Sequence, residues 1–268
     1  MKVIALISGG KDSTFNMMEC VRNGHEIVAL VNLRPPQSMS IKNETQQNQI
    51  ELVQELDSYM YQSVGNELIE LFAQAAELPL YRAQITGKVI NQNLDYEPTD
   101  TDEVEDLFKI LKFCKEDMEK KHDFVIEAVS SGAILSTYQK NRVENICKRL
   151  NMTSLAYLWS RNQNELLNEM IESKIEAIII KVACMGLRPE KHLGKTIAEM
   201  KMFLQELETK YGCNVCGEGG EYETLTLDCP LFKNKKIKIN SYDIKIHSND
   251  AFAQVSYLIF KDFCLIDK

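Results

Sequence analysis

From Lys2 to Leu158 the chain alternates short apolar runs with helix-period stretches, and this alternation restricts the possible folds more than any other feature. Val3–Ile7, Glu26–Leu33, Leu80–Ile85, Phe124–Val129 and Ser154–Leu158 read as strands. Phe15, Met18 and Val21 sit at helical spacing up to Gly24, and Asn66–Leu78 is a helix stopped by Pro79. Asp102–Lys121 places Val104, Leu107, Leu111, Cys114 and Met118 on one side, and another helix runs from Thr137 to Arg149. Strands alternating with helices build βαβ units, so the expected class is α/β with a doubly wound parallel sheet. After Trp159 the pattern changes. Helices at Asn164–Ser173 and Lys195–Tyr211 flank a strand at Ala177–Ala183. Four strand-like runs follow: Tyr222–Leu227, Lys236–Ile239, Asp243–Ile246 and Gln254–Phe260. The expected organisation is therefore a first domain over residues 1–158 and a smaller C-terminal α+β domain over 159–268.

Composition removes several functional classes. Acidic residues outnumber basic ones by 39 to 31, a net charge of −8, which argues against holding nucleic acid by bulk electrostatics. No segment reaches the roughly 18 apolar residues that a membrane span requires. Eight cysteines are too few for a disulfide scaffold in a chain of 268 residues, which points to a reducing compartment and a soluble, cytoplasmic protein. Lys42–Gln49 is a polar segment with no evident chemistry.

Chemistry first appears at Ser8-Gly9-Gly10-Lys11-Asp12-Ser13, between the first strand and the first helix. Two glycines permit a backbone that turns several N–H groups onto one concave face, and the helix start adds its positive end. Ser8 and Ser13 supply hydroxyls, Lys11 a charge, and Asp12 a carboxylate able to bind Mg²⁺ or brace the loop. This is a polyphosphate site; the alternative is an ordinary glycine-rich βα turn. The spacing differs from the Walker A pattern. Pro189–Thr196 imitates that pattern, but Pro189 stands at the first glycine position and reads as a helix start.

Two further constellations stand out. Ser130–Gln139 follows the fourth strand, with Gly132 and Ala133 placed to meet a nucleotide if that strand lies beside the first. Tyr138 and Arg142 are four apart and share a helix face, where Arg142 is a candidate clamp for phosphate or carboxylate; the alternative is a surface pair with Glu144. Cys216–Thr224 packs Glu218, Glu221 and Glu223 beside three glycines, either to hold a cation or as a solvated turn. Glu221 and Glu223 share a face if the segment is a strand. Cys213 and Cys216 form a lone C-x-x-C; Cys229 and His247 do not complete a usual zinc spacing.

Ser8–Ser13 resembles the PP-loop of ATP pyrophosphatases, which cleave ATP between its α and β phosphates. Taken with Asp57–Gln62, Asp102–Leu107, Gly132–Tyr138, Arg142–Asn145, Ala156–Trp159, Cys216–Thr224 and Asp228–Phe232, the whole chain resembles the diphthine–ammonia ligase family. The segment after Pro36 is longer than that resemblance leads one to expect. The resemblance implies an adenine-nucleotide alpha hydrolase-like (PP-loop) sheet, ATP and Mg²⁺ as cofactors, and ammonium and diphthine-bearing elongation factor 2 as partners. It also implies an acyl-adenylate intermediate, with Lys11, Asp12, Arg142, Glu218, Glu221 and Glu223 as candidate catalytic residues. Ser8 to Ser13 with Gly132 and Ala133 would bind the nucleotide, and Asp12 the metal. Diphthine carries a trimethylammonium, for which Tyr59, Tyr61, Tyr138, Trp159 and Tyr222 are candidate aromatic partners. Two other readings stay open: another adenylating PP-loop enzyme, such as a transfer RNA thiolase or small-molecule amidotransferase, and a catalytically silent nucleotide-binding partner.

Overall fold

The computed structural model describes residues 1–35, 64–248 and 253–268. The segments 42–49 and 57–62, with Tyr59 and Tyr61, lie outside the described residues. The first half forms β1 (Lys2–Leu6), α1 (Lys11–Arg22), β2 (Glu26–Arg34), α2 (Ile69–Ala76), β3 (Leu80–Gln84), α3 (Glu103–Lys121), β4 (Ile126–Ser130), α4 (Thr137–Arg149) and β5 (Thr153–Leu155). The second half adds α5 (Gln163–Glu172), β6 (Glu176–Val182), α6 (Pro189–His192), α7 (Ile197–Tyr211), β7 (Tyr222–Asp228), β8 (Lys235–Ser248) and β9 (Val255–Asp267).

The first sheet is parallel, in the order β3-β2-β1-β4-β5. Strand order reverses between β1 and β4, which are direct neighbours, so the loops after these two strands face one crevice. Alternation along β1 explains the helices on both faces. Val3 and Ala5 pack with Phe15 of α1 and Phe72 of α2, whereas Ile4 packs with Leu111 of α3 and Ile146 of α4. The second sheet runs β7-β6-β9-β8 and is antiparallel.

The two sheets share one core. The cluster holding Phe15, Ile69 and Phe72 continues into Ile180, Leu225 and Phe232 of the second sheet region. Phe72 and Phe232 meet edge to face with ring centres 4.8 Å apart. Among the described residues no helix is long and apolar enough to cross a membrane.

The runs Lys236–Ile239 and Asp243–Ile246, expected as separate strands, belong to the single strand β8. Asn240-Ser241 has the composition of a turn, but β9 continues alongside and absorbs the irregularity as register shifts around Ser241. The Walker-like segment is structural. Pro189 opens α6 at its first turn, and Thr196 caps α7 in a reciprocal capping box with Glu199.

Candidate active site

A cavity of about 590 Å³ opens at the carboxyl ends of β1, β2 and β4, within the range of small-ligand sites. The phosphate loop forms its floor. Gly9 adopts φ +86°, which a side chain would disfavour, and α1 then starts at Lys11 with no side-chain cap. Beyond the Lys11 amide, which donates to Thr224, the amides of Asp12 and Ser13 face no side-chain cap of the helix's own and suit an anion. Ser8 and Ser13 hydroxyls lie 3.3 Å apart, the Ser8 hydroxyl accepts from the Gly10 amide at 3.2 Å, and the Ser13 hydroxyl donates to the Gly10 carbonyl at 3.2 Å. Behind the loop, Asn16 donates to the Ser130 hydroxyl (2.7 Å) and the Leu155 carbonyl (2.8 Å), tying α1 to β4 and β5.

Gly132 follows β4 and lies against this floor. A Cβ there would sit 2.6 Å from the Ser13 amide nitrogen and 2.8 Å from the Asp12 carbonyl carbon, so only glycine lets the two loops meet. Gly132, Ala133 and Ser131 all line the cavity. The Ser131 hydroxyl and Oδ1 of Asp12 are buried without a hydrogen-bond partner among the described residues. Such orphaned atoms beside an uncapped helix start suit a ligand that brings its own donors, acceptors or metal.

The third wall comes from the second sheet, some 210 residues later in sequence. Thr224 accepts from the Lys11 amide at 3.1 Å, the Thr226 amide donates to the Gly9 carbonyl at 2.8 Å, and the Thr14 and Thr226 hydroxyls meet at 3.1 Å. Lys11 is fully enclosed. Its Nζ donates to Asp12 (2.9 Å) and the Cys216 carbonyl (2.5 Å) and lies 5.0 Å from the Tyr222 ring centre. Burial opposes its charge, but the Asp12 carboxylate together with Tyr222 and Cys216 outweighs that and holds the ammonium well above the usual lysine range. Burial likewise pushes the Asp12 carboxyl upward, against the pull of Lys11.

The three glutamates part company. Glu218 lines the cavity, and its Oε1 accepts from the amides of Ile134 (3.0 Å), Leu135 (3.2 Å) and Ser136 (3.4 Å), fastening the glycine-rich turn to the loop after β4. Burial, then the nearby Asp12 charge, pushes its carboxyl upward despite those amides. Glu223 also lines the cavity and pairs with Lys181 at 3.2 Å. Glu221 does not line it. Its carboxylate accepts from the Asn214 amide (2.9 Å) and the Gly219 amide (2.7 Å), bracing the turn from within. Because β7 begins only at Tyr222, Glu221 and Glu223 do not share a strand face, which corrects the sequence expectation.

Arg142 is also corrected. It is fully buried, donating to the backbone carbonyls of Tyr138 (3.1 Å), Asn93 (3.1 Å) and Asn91, and it neither lines the cavity nor pairs with Glu144, which binds Lys140 at 2.7 Å. Tyr138 and Tyr222 line the cavity; Trp159 does not and lies under Lys140 at 5.1 Å. Cys213 lies beside Cys184, not Cys216. Sequence reasoning missed Asn16 and Lys181, and gave no separate role to Ser131 and Thr224 within the two strings it singled out. Asn32, which lines the cavity and donates to the Ile7 carbonyl at 2.9 Å, carried a readable signal as the one amide in the apolar strand β2.

A glycine-entered, uncapped helix start at a strand-order reversal marks an α/β protein with an anion-binding loop. The chain matches the diphthamide synthase N-terminal domain over residues 1–154 and the diphthamide synthase C-terminal domain over residues 162–258. It is 58% identical to a diphthine–ammonia ligase of Mus musculus over 96% of this chain and 90% of that protein. It is 56% identical to that of Homo sapiens over 100% of this chain and 94% of that protein. A diphthine–ammonia ligase of Schizosaccharomyces pombe is 50% identical over 100% of this chain, which spans 40% of that longer protein. The chain belongs to the diphthine–ammonia ligase family.

Proposed function

We propose that this chain amidates diphthine on elongation factor 2, consuming ATP and ammonium and releasing AMP and pyrophosphate through an acyl-adenylate. The observation that carries this reading is the joining of an anion-binding loop and a glutamate-bearing turn around one cavity. Residues 1–158 would bind the nucleotide, with 159–268 completing the site for the second substrate. A soluble, cytoplasmic protein working on another protein, without membrane or direct nucleic-acid contact, is consistent with the net charge of −8.

A carboxylate is a poor acyl donor because its leaving group would be oxide. Attack on the α-phosphate converts it to an acyl phosphate anhydride, and negative charge then grows on the departing pyrophosphate. The Asp12 and Ser13 amides of α1, the Ser8 and Ser13 hydroxyls and the Ser131 hydroxyl would stabilise that charge, and such preorganised donors give the largest catalytic effects. Asp12 fits Mg²⁺ through its unpartnered Oδ1. No group of three acidic, histidine or cysteine side chains suits a metal among the described residues, so most ligands would be phosphate and water oxygens. When bound, the ion would neutralise phosphate charge. The second nucleophile is neutral ammonia, so ammonium must lose a proton in the site; with Asp12 given to the metal, Glu218 and Glu223 are the other carboxylates that line it.

ATP labelled at the α-phosphate, incubated with ammonium and diphthine-bearing elongation factor 2, should yield labelled AMP and amide in equal amounts. ADP as the sole product would refute the adenylate. Neither product above background would favour a silent nucleotide-binding partner.

A further inference from the structure

Arg142 is a guanidinium buried without an ion pair among the described residues, its hydrogen bonds spent on three backbone carbonyls. Its plane lies against the Tyr138 ring, 3.2 Å from the ring centre, with Tyr96 5.2 Å away. Tyr138 lines the cavity and Arg142 does not, so the charge stands behind the ring as seen from the ligand space. The same helix face holds the neighbouring loop, Asn141 donating to the Leu94 carbonyl (2.9 Å) and Asn145 to the Tyr96 carbonyl (3.0 Å). The ring is thus held by a rigid frame.

An aromatic face attracts a cation through its quadrupole. With a guanidinium already on one face, a second cation on the other meets a ring whose quadrupole is already engaged. The trimethylammonium of diphthine is therefore poorly served at this wall. A neutral flat ring is well served, because it stacks on a ring polarised from behind. The surrounding cavity residues agree: Leu6, Val31, Leu33, Leu107 and Val143 add apolar lining to the same cavity.

We infer that Tyr138 is the stacking plate for the purine of ATP, and that Arg142 is the positioning residue that fixes and polarises it, so that this wall selects a neutral base over a cationic head. The inference rests on the ATP reading above. It removes Arg142 from phosphate chemistry and Tyr138 from the trimethylammonium set.

The test is ATP binding by calorimetry on the purified chain alone, with AMP formation from diphthine-bearing elongation factor 2 as the second readout. Tyr138→Leu should weaken ATP binding roughly tenfold, the effect of losing one base–aromatic stack, while Tyr138→Phe stays within about twofold. Arg142→Met should weaken ATP binding similarly, and the double variant should be no worse than the weaker single variant, because both remove one unit. KM for the protein substrate should stay within about twofold in each single variant. Should Arg142→Met not fold, Tyr138→Leu and Tyr138→Phe carry the test by themselves. Unchanged ATP affinity in Tyr138→Leu, a rise in KM for the protein substrate instead, or additive losses in the double variant would each overturn the inference. ATP binding that behaves as expected without any AMP or amide formation would sink the proposed reaction and leave this assignment standing.

Discussion

At the scale of single residues, the cavity is made by atoms whose partners are missing until a ligand arrives. Asp12→Ala or Ser13→Ala should lower turnover about a hundredfold, near 3 kcal/mol of transition-state stabilisation, with little change in Tm for Ser13→Ala and a lowered Tm for Asp12→Ala, which leaves the buried Lys11 ammonium without its carboxylate. Near-normal turnover in both variants would place the chemistry elsewhere. Gly132→Ala is a different kind of lesion. Its methyl would lie 2.6 Å from the Ser13 amide nitrogen, so the two loops must separate by several tenths of an ångström. ATP affinity should fall before fold stability does, read by calorimetry against a thermal melt. The loop string Ser8–Ser13 and the turn Gly217–Thr224 could be picked out from residue types alone, because two glycine-flanked sets of polar residues have few other uses. The fate of Glu221 could not. Its carboxylate is consumed by the Asn214 and Gly219 amides, a partnership fixed by how the turn closes.

At the scale of elements, helix ends explain where chemistry is and is not. α1 begins uncapped and faces the cavity, whereas α7 begins with its own Thr196–Glu199 box. The Thr196 amide, Lys195 and the Thr196 hydroxyl hold the Glu199 carboxyl down at about 2. A carboxyl depressed below its unfolded value stabilises the fold above that value, and the benefit fades as pH falls through the unfolded value of 4.5 towards about 2. Half the side chain is exposed, so the benefit is small. Thr196→Ala should cost about 1 kcal/mol at pH 7, a fall of roughly 2–4 °C in Tm. The stability gap between wild type and Glu199→Gln should narrow as the pH of chemical denaturation is lowered from 6 to 3.5, and a constant gap would contradict the capping account. Sequence periodicity placed α4 at Thr137–Arg149, as observed, because a 3.6-residue apolar repeat survives in any context that buries one face. It split β8 in two, because the local composition of Asn240-Ser241 competes with a partner strand visible only in three dimensions.

At the scale of the whole molecule, the two sheets are one thermodynamic object. Phe15, Ile69 and Phe72 bury themselves partly against Leu225 and Phe232, while the glycine-rich loop donates its Lys11 amide to the Thr224 hydroxyl and accepts from the Thr226 amide at the Gly9 carbonyl. A fragment ending at residue 160 should therefore expose that face, melt without a sharp transition and bind a hydrophobic dye, while the full chain melts in one cooperative step. A fragment with an ordinary cooperative melt would show that the shared core is dispensable. By itself the sequence determined the βαβ order, the parallel sheet and the position of the glycine-rich loop between β1 and α1, because these depend on short-range periodicity and on residues adjacent in the chain. Only the tertiary structure decided which of the singled-out side chains line the cavity. Arg142 was free on paper to grip a phosphate, yet helix α4 turns it inward onto Tyr138 and the carbonyls of Asn91 and Asn93. Lys181 drew no notice, yet the pairing of β6 with β7 places it on Glu223 at the cavity wall. The physical reason is common to both: a long polar side chain is committed by the nearest buried partner that satisfies it, and that partner lies far away in sequence.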